Sequence, residues 1–251
     1  MVIGIDRFRT HFEGHEHQYV LIGGAASDLL MVDAGLDFRA TKDLDIVLIV
    51  ETLDVAFSDR FWAFVEDGRY EVRQRSEQKR VLYRFQKPAT PGYPAILELF
   101  SRTPEGMILA DDSHLTPLPI DEEAASLSAI LLDDEYYEFL KGMVRTLDGI
   151  PVLDEAAIIP FKARAWIDIT ARRDEGARVD DKDIKKHCND IARLLQLLTA
   201  NARYELPGLV RSDMIAFADA LANQAGFEPK QFGVNMTREV VVERLRAAYQ
   251  L

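Results

Sequence analysis

The chain has 251 residues, 48% hydrophobic and 29% charged, with 42 acidic side chains against 30 basic ones and a formal charge of −12. A chain of this length buries nearly three quarters of its surface, about 11,000 Å² staying exposed of about 41,000 Å² unfolded, so it needs no disulfide or metal to hold a core. One cysteine, Cys188, excludes an intramolecular disulfide and a four-cysteine zinc site. No apolar run reaches the ~20 residues of a membrane span, and residues 1–17 are too polar for a signal peptide; the expectation is a soluble cytoplasmic protein with no membrane partner. The acidic surplus argues against non-specific nucleic-acid binding, which depends on Lys and Arg meeting phosphates.

The average charge conceals a pattern. Residues 1–100 hold 16 acids and 12 bases, residues 101–155 hold 13 acids and 3 bases, and residues 156–251 hold 13 acids and 15 bases. The acidity therefore sits in the middle of the chain. Two stretches run basic: 69–87 has seven bases against Glu71 and Glu77, and 162–193 has nine bases against seven acids. Each is a solvated face or a track for phosphate.

In chain order, residues 1–17 have a helical period at Ile5, Phe8 and Phe12. The apolar run Tyr19–Ile22 ending at Gly23-Gly24 reads as a buried strand and a tight turn, and the Ala- and Leu-rich segment behind it as a helix. Residues 43–50 (DLDIVLIV) read as a central strand and residues 55–67 as a helix ending at Gly68. Alternation then predicts strands over about 69–74, 80–86 and 95–101, with Leu82, Arg84 and Gln86 on one face of the second. Between 101 and 155 the pattern suggests short strands at 127–132 and 152–153 around a helix near 134–147. From Glu155 the chain reads as helices over 155–174, 181–200, 211–225 and 237–249. The expectation is an α/β half, 1–150, followed by an α-helical half, 151–251.

The strongest chemical signal is a constellation. Nineteen positions after Gly24 comes Asp43-Leu44-Asp45 at the head of a strand, where period-two geometry puts both acids on one face. Two such carboxylates suit Mg²⁺, which favours one or two carboxylates plus substrate phosphates. The glycines leave room for phosphate at the backbone N–H groups of a helix N-terminus. Glu98, inside an apolar strand, is costly to bury without a cation or partner. Together the three acids suggest a two-metal phosphoryl-transfer site.

The Gly-Gly turn, the Asp-x-Asp strand and the later strand acid resemble the nucleotidyltransferase superfamily with the DNA polymerase β-like fold. Arg39-Ala-Thr41-Lys-Asp43-Leu-Asp45 is similar to the branch holding AbiEii-type toxins of type IV toxin–antitoxin systems. The resemblance covers about 18–50, 95–100 and 158–195, leaving the last fifty residues aside. It implies a mixed-sheet nucleotidyltransferase-like domain and an α-helical C-terminal domain that completes the nucleotide site. It also implies an NTP substrate with Mg²⁺ or Mn²⁺ on Asp43, Asp45 and Glu98, phosphates on Gly23 and Gly24 aided by Ser27, and contributions from Arg39 and Thr41. Lys162 matches the branch's lysine on the first helix after the catalytic half. The branch's Lys-Asp-x-x-Asp helix motif is imperfect here: Asp183 and Asp190 both qualify, and Asp190 is preferred because Lys186-His187-Cys-Asn-Asp190 keeps the final acid. The acceptor implied is the hydroxyl of an RNA end such as tRNA, or of a protein, with an antitoxin protein as partner. The alternatives are a small-molecule adenylyltransferase and a non-catalytic NTP-binding module. Purely structural roles remain open for Glu98 as an edge acid, Lys162 as a surface stem, Arg39 as a partner of Asp37 or Asp43, and Asp183 and Asp190 as helix-surface acids.

Overall fold

The structure is a computed structural model and describes residues 2–77, 80–101 and 133–251, without the side chains of 72–83 and 101. The strand expected at 127–132 and most of the acidic middle lie outside the described residues. The described residues divide into two compact units: residues up to 101 with Val144–Leu153, and 133–143 with 154–251.

The first unit carries a mixed seven-stranded sheet. Its elements are α1 (Ile5–His11), β1 (Tyr19–Ile22), α2 (Gly23–Asp33), β2 (Asp43–Leu48), α3 (Val55–Gly68), β3 (Glu71–Glu77), β4 (Arg80–Gln86) and β5 (Ile96–Ser101), then β6 (Val144–Leu147) and β7 (Ile150–Leu153). The strand order is β3-β4-β5-β2-β1-β7-β6. β1 runs antiparallel to β2 and parallel to β7, while β2 runs parallel to β5. The apolar strands β1 and β7 are buried along their whole length, as strands inside such a sheet must be. Under the sheet lies an aromatic core: Phe8 of α1 and Phe12 just after it meet Tyr19 of β1 and Phe57 and Phe64 of α3 at ring separations of 5.4–5.8 Å. Asp54 caps α3 by accepting from the Phe57 N–H at 2.8 Å.

One local expectation needs correcting. The helix near 134–147 stops at Gly142, and Val144–Leu147 is a strand that pairs antiparallel with Ile150–Leu153. Asp148 and Gly149 both have positive φ, 47° and 78°, which is the requirement of a two-residue hairpin turn.

The second unit is helical: α4 (Asp134–Gly142), α5 (Glu155–Asp174), α6 (Asp181–Leu194), α7 (Gly208–Ala222), a 3₁₀ turn (Pro229–Phe232) and α8 (Arg238–Tyr249). α5 keeps its course past Pro160. A proline there withholds the N–H that the Ala156 carbonyl would accept one turn earlier. The Tyr249 hydroxyl, at the end of α8, donates to that carbonyl at 2.9 Å. Burial pushes the Tyr249 phenol well above its ordinary pKa, so it stays protonated and remains a donor. Tyr249→Phe leaves the carbonyl orphaned and is expected to cost about 1–3 kcal/mol in a urea unfolding titration; an unchanged midpoint contradicts this role.

A polar network ties three helices of the same unit. Arg164 of α5 donates to both carboxylate oxygens of Asp213 on α7, at 3.1 and 3.0 Å, and Tyr136 of α4 donates to Asp213 Oδ2 at 2.8 Å. Glu135 accepts from the Leu209 N–H at 2.7 Å, supplying α7 with the cap its own N-terminal residue, Pro207, does not provide. No helix among the described residues is long and apolar enough to cross a membrane.

Candidate functional site

In the first unit, β1 runs directly into α2, and the turn between them is possible because Gly23 takes φ of +63°. Close approach also forbids side chains here. A Cβ on Gly23 would collide with the Asp45 carboxylate, and one on Gly24 would lie 2.8 Å from Thr41 Oγ1 and 3.5 Å from the Arg39 guanidinium. The segment before β2 thus folds back over the Gly-Gly turn and brings Arg39, Thr41 and Asp45 to it. The Gly24 N–H points at Asp45 Oδ2 over a long 3.4 Å. Along β2, Asp43 and Asp45 are half-buried and Leu44 is fully buried, so the two acids do share a face.

Gly24→Ala tests this close approach. The added methyl must displace Thr41, and any activity that depends on the turn is expected to fall roughly tenfold to a hundredfold. Thermal stability should change little, because Gly24 has ordinary helical φ. Full activity in a kinetic assay of this variant contradicts the crowding inferred at the turn.

Two expected participants have protein partners of their own. Ser27 is buried, and its hydroxyl donates to the Gly23 carbonyl at 2.7 Å, one helical turn back. The hydroxyl proton is thus committed to the helix backbone, so Ser27 braces the turn. Glu98 lies opposite Asp45 in the β2–β5 register and opposite Arg84 in the β5–β4 register. Directly paired residues point to the same side of a sheet, so Asp45, Glu98 and Arg84 form one row across three strands. Glu98 is 5% exposed and its Oε1 is gripped by both Nε and Nη2 of Arg84. Among the described residues, no three His, Cys, Asp or Glu side chains are gathered for a metal ion. Asp43 and Asp45 share a face, and Glu98, next to Asp45 in the register, is also held by Arg84. A solvent-facing role for Glu98 is excluded. Arg84 went unrecognised in the sequence, where it is one base among seven in a basic stretch.

In the second unit, Lys162 is 5% exposed and Asp190 fully buried, with Nζ and Oδ2 2.8 Å apart between α5 and α6. Arg193 stands 3.7 Å from the other Asp190 oxygen. Neither Lys162 nor Asp190 is a surface residue. Asp183 is half-buried in the first turn of α6, where the helix dipole favours an acid. Burial pushes the Cys188 thiol up, as befits a packed side chain.

The basic stretches are less open to phosphate than their sequence suggests. Arg84 is held by Glu98, and Lys87 lies 3.1 Å from Glu71. In the second stretch Lys162 and Arg164 are engaged with Asp190 and Asp213. The side chains of Arg73, Arg75, Lys79 and Arg80 lie outside the described set.

The residues at the Gly-Gly turn fit a magnesium triphosphate on two observations. The missing Cβ atoms let Asp45, Thr41 and Arg39 come close to the start of a helix, and two carboxylates share one strand face beside it. Among solved structures the chain is similar to an antigenic nucleotidyltransferase-like protein from Paracoccidioides brasiliensis, at 15% identity over 99% of this chain and 96% of that one, with a TM-score of 0.46. No family model and no curated protein matches it. At that level of likeness, the functional reading rests on the residues of this chain.

Proposed function

We propose that the protein is a metal-dependent nucleotidyltransferase that moves an NMP from an NTP to a hydroxyl acceptor. The observation that supports this most strongly is the Gly23-Gly24 turn crowded by Asp45, Thr41 and Arg39, with Asp43 on the same strand face as Asp45. Asp43 and Asp45 would hold Mg²⁺ or Mn²⁺, which when bound neutralises triphosphate charge and stabilises the leaving pyrophosphate. The N–H groups of the turn receive phosphate oxygens. Arg39 adds positive charge at the same place, and Thr41 a hydroxyl. Transfer of this kind is mainly positioning and electrostatic stabilisation, so a site made of backbone N–H groups, two carboxylates and a guanidinium is chemically sufficient.

The acceptor favoured by the sequence resemblance is an RNA end such as that of tRNA, in an AbiEii-like toxin role with an antitoxin partner. A small-molecule acceptor is favoured by a different observation: several bases of the two basic stretches are held by acids of their own unit. The test is incubation of the protein with Mg²⁺ and each α-labelled NTP in turn, in a cell extract fractionated into RNA, protein and small molecules. Label in RNA, falling steeply with salt, supports the nucleic-acid acceptor. Label confined to small molecules replaces that acceptor, and silence with all four nucleotides contradicts transferase activity.

A further inference from the structure

Glu98 poses a question that nucleotidyl transfer as such does not answer: why a buried carboxylate in the row next to Asp45 is gripped by an arginine. We propose that Arg84 fills the place beside Glu98 that a second metal ion would take, so that the site works with a single divalent cation on Asp43 and Asp45. This inference rests on the reading of those two acids as cation ligands.

Three observations carry it. The row Asp45–Glu98–Arg84 is fixed by backbone pairing across β2, β5 and β4, so the guanidinium is placed by the sheet and not by a free loop. The contact brings two N–H groups of the guanidinium fork, Nε and Nη2, onto one carboxylate oxygen, a charge-assisted contact whose fixed fork lysine cannot reproduce. Asp43 and Asp45 share a face beside Glu98, yet among the described residues no group of three His, Cys, Asp or Glu is placed to hold a metal ion. Charge gives the same answer. Three carboxylates are balanced by one divalent cation and one guanidinium, whereas a second divalent cation at Glu98 would sit against the fixed positive charge of Arg84. Arg84 is then a positioning residue: its guanidinium engages the Glu98 oxygen that would otherwise be offered to a second cation.

The test counts metal ions, with Mn²⁺ alone as the probe. Free Mn²⁺ is followed by electron paramagnetic resonance during titration, and only sites lost in Asp43→Asn are counted. One such site per wild-type chain is expected, without the spin coupling of a metal pair. Arg84→Met should gain a second, coupled Mn²⁺ at Glu98, and Arg84→Met/Glu98→Gln should return to one. Two coupled ions in the wild type overturn the inference while leaving Asp43 and Asp45 as ligands, and so does a folded Arg84→Met that still binds one. No Asp43-dependent site at all overturns the underlying reading of the two acids. The wild-type count stands by itself if Arg84→Met does not fold.

Discussion

Asp43→Asn is expected to lower the proposed nucleotidyl transfer by at least about a hundredfold to a thousandfold, the scale on which a single preorganised electrostatic group contributes to such sites. The same substitution leaves thermal unfolding close to wild type. The reason lies in where Asp43 stands. It opens β2, half-buried, and its partner in the register is the backbone of Ile96 on β5. Asparagine keeps that pairing and almost the same volume, while the neighbouring Leu44 and Ile46 stay buried beneath. What disappears is the negative charge a divalent cation needs. Parallel measurement of initial rates and melting temperature separates the two effects. A variant that keeps more than a tenth of the activity shows that Asp43 is not a cation ligand.

The largest expected effect on stability is in the helical unit. Lys162→Met removes the ammonium from Asp190, a carboxylate with no exposure, and stranding one member of a buried pair typically costs about 3–5 kcal/mol. Arg193, 3.7 Å from the second oxygen, offers partial compensation, so the loss should fall at about the lower end. Lys162→Met/Asp190→Leu replaces both charges with apolar groups and should recover most of the stability, because a buried pair contributes little net over well-packed hydrophobic residues. Urea unfolding of the single and double variants measures this; equal midpoints for all three proteins contradict a coupled buried pair. Activity of the restored double variant then decides what the pair is for. Loss of transfer at recovered stability assigns the lysine and the acid a part in the reaction, as the sequence resemblance implies. Retained transfer limits them to the packing of α5 on α6.

Much of this architecture is legible in local patterns. The apolar run before Gly23-Gly24, the alternation in DLDIVL and the 3.6-residue period from Glu155 onward are each imposed by neighbours within a few positions, and β1, β2 and α5 follow them closely. Asp43 and Asp45 share a face for the same local reason. What was missed depends on long-range register. Nothing near Arg84 announces that it stands opposite Glu98, because that pairing is set by how β4 aligns with β5. Tyr249 and Ala156 are likewise joined only by the packing of α8 on the start of α5. One omission did have a local signal. Asp148-Gly149 is a strong two-residue hairpin sequence, but the flanking strands have four residues each, too short for their alternation to outweigh an apparent continuation of the preceding helix. The Ser27 hydroxyl, placed one turn into a helix behind a glycine turn, is equally suited to a phosphate and to the carbonyl four residues back, to which it donates in the structure.

In the proposed reaction a hydroxyl attacks the α-phosphorus of an NTP held at Gly23-Gly24 and pyrophosphate leaves. The most direct measurement is a paired incubation of the protein and Mg²⁺ with the same nucleotide labelled at either the α or the γ phosphate. Acceptor should be labelled from the α position only, with one pyrophosphate released per transfer and none of either in Asp43→Asn. Label arriving from the γ position, or equal labelling by wild type and Asp43→Asn, would contradict it.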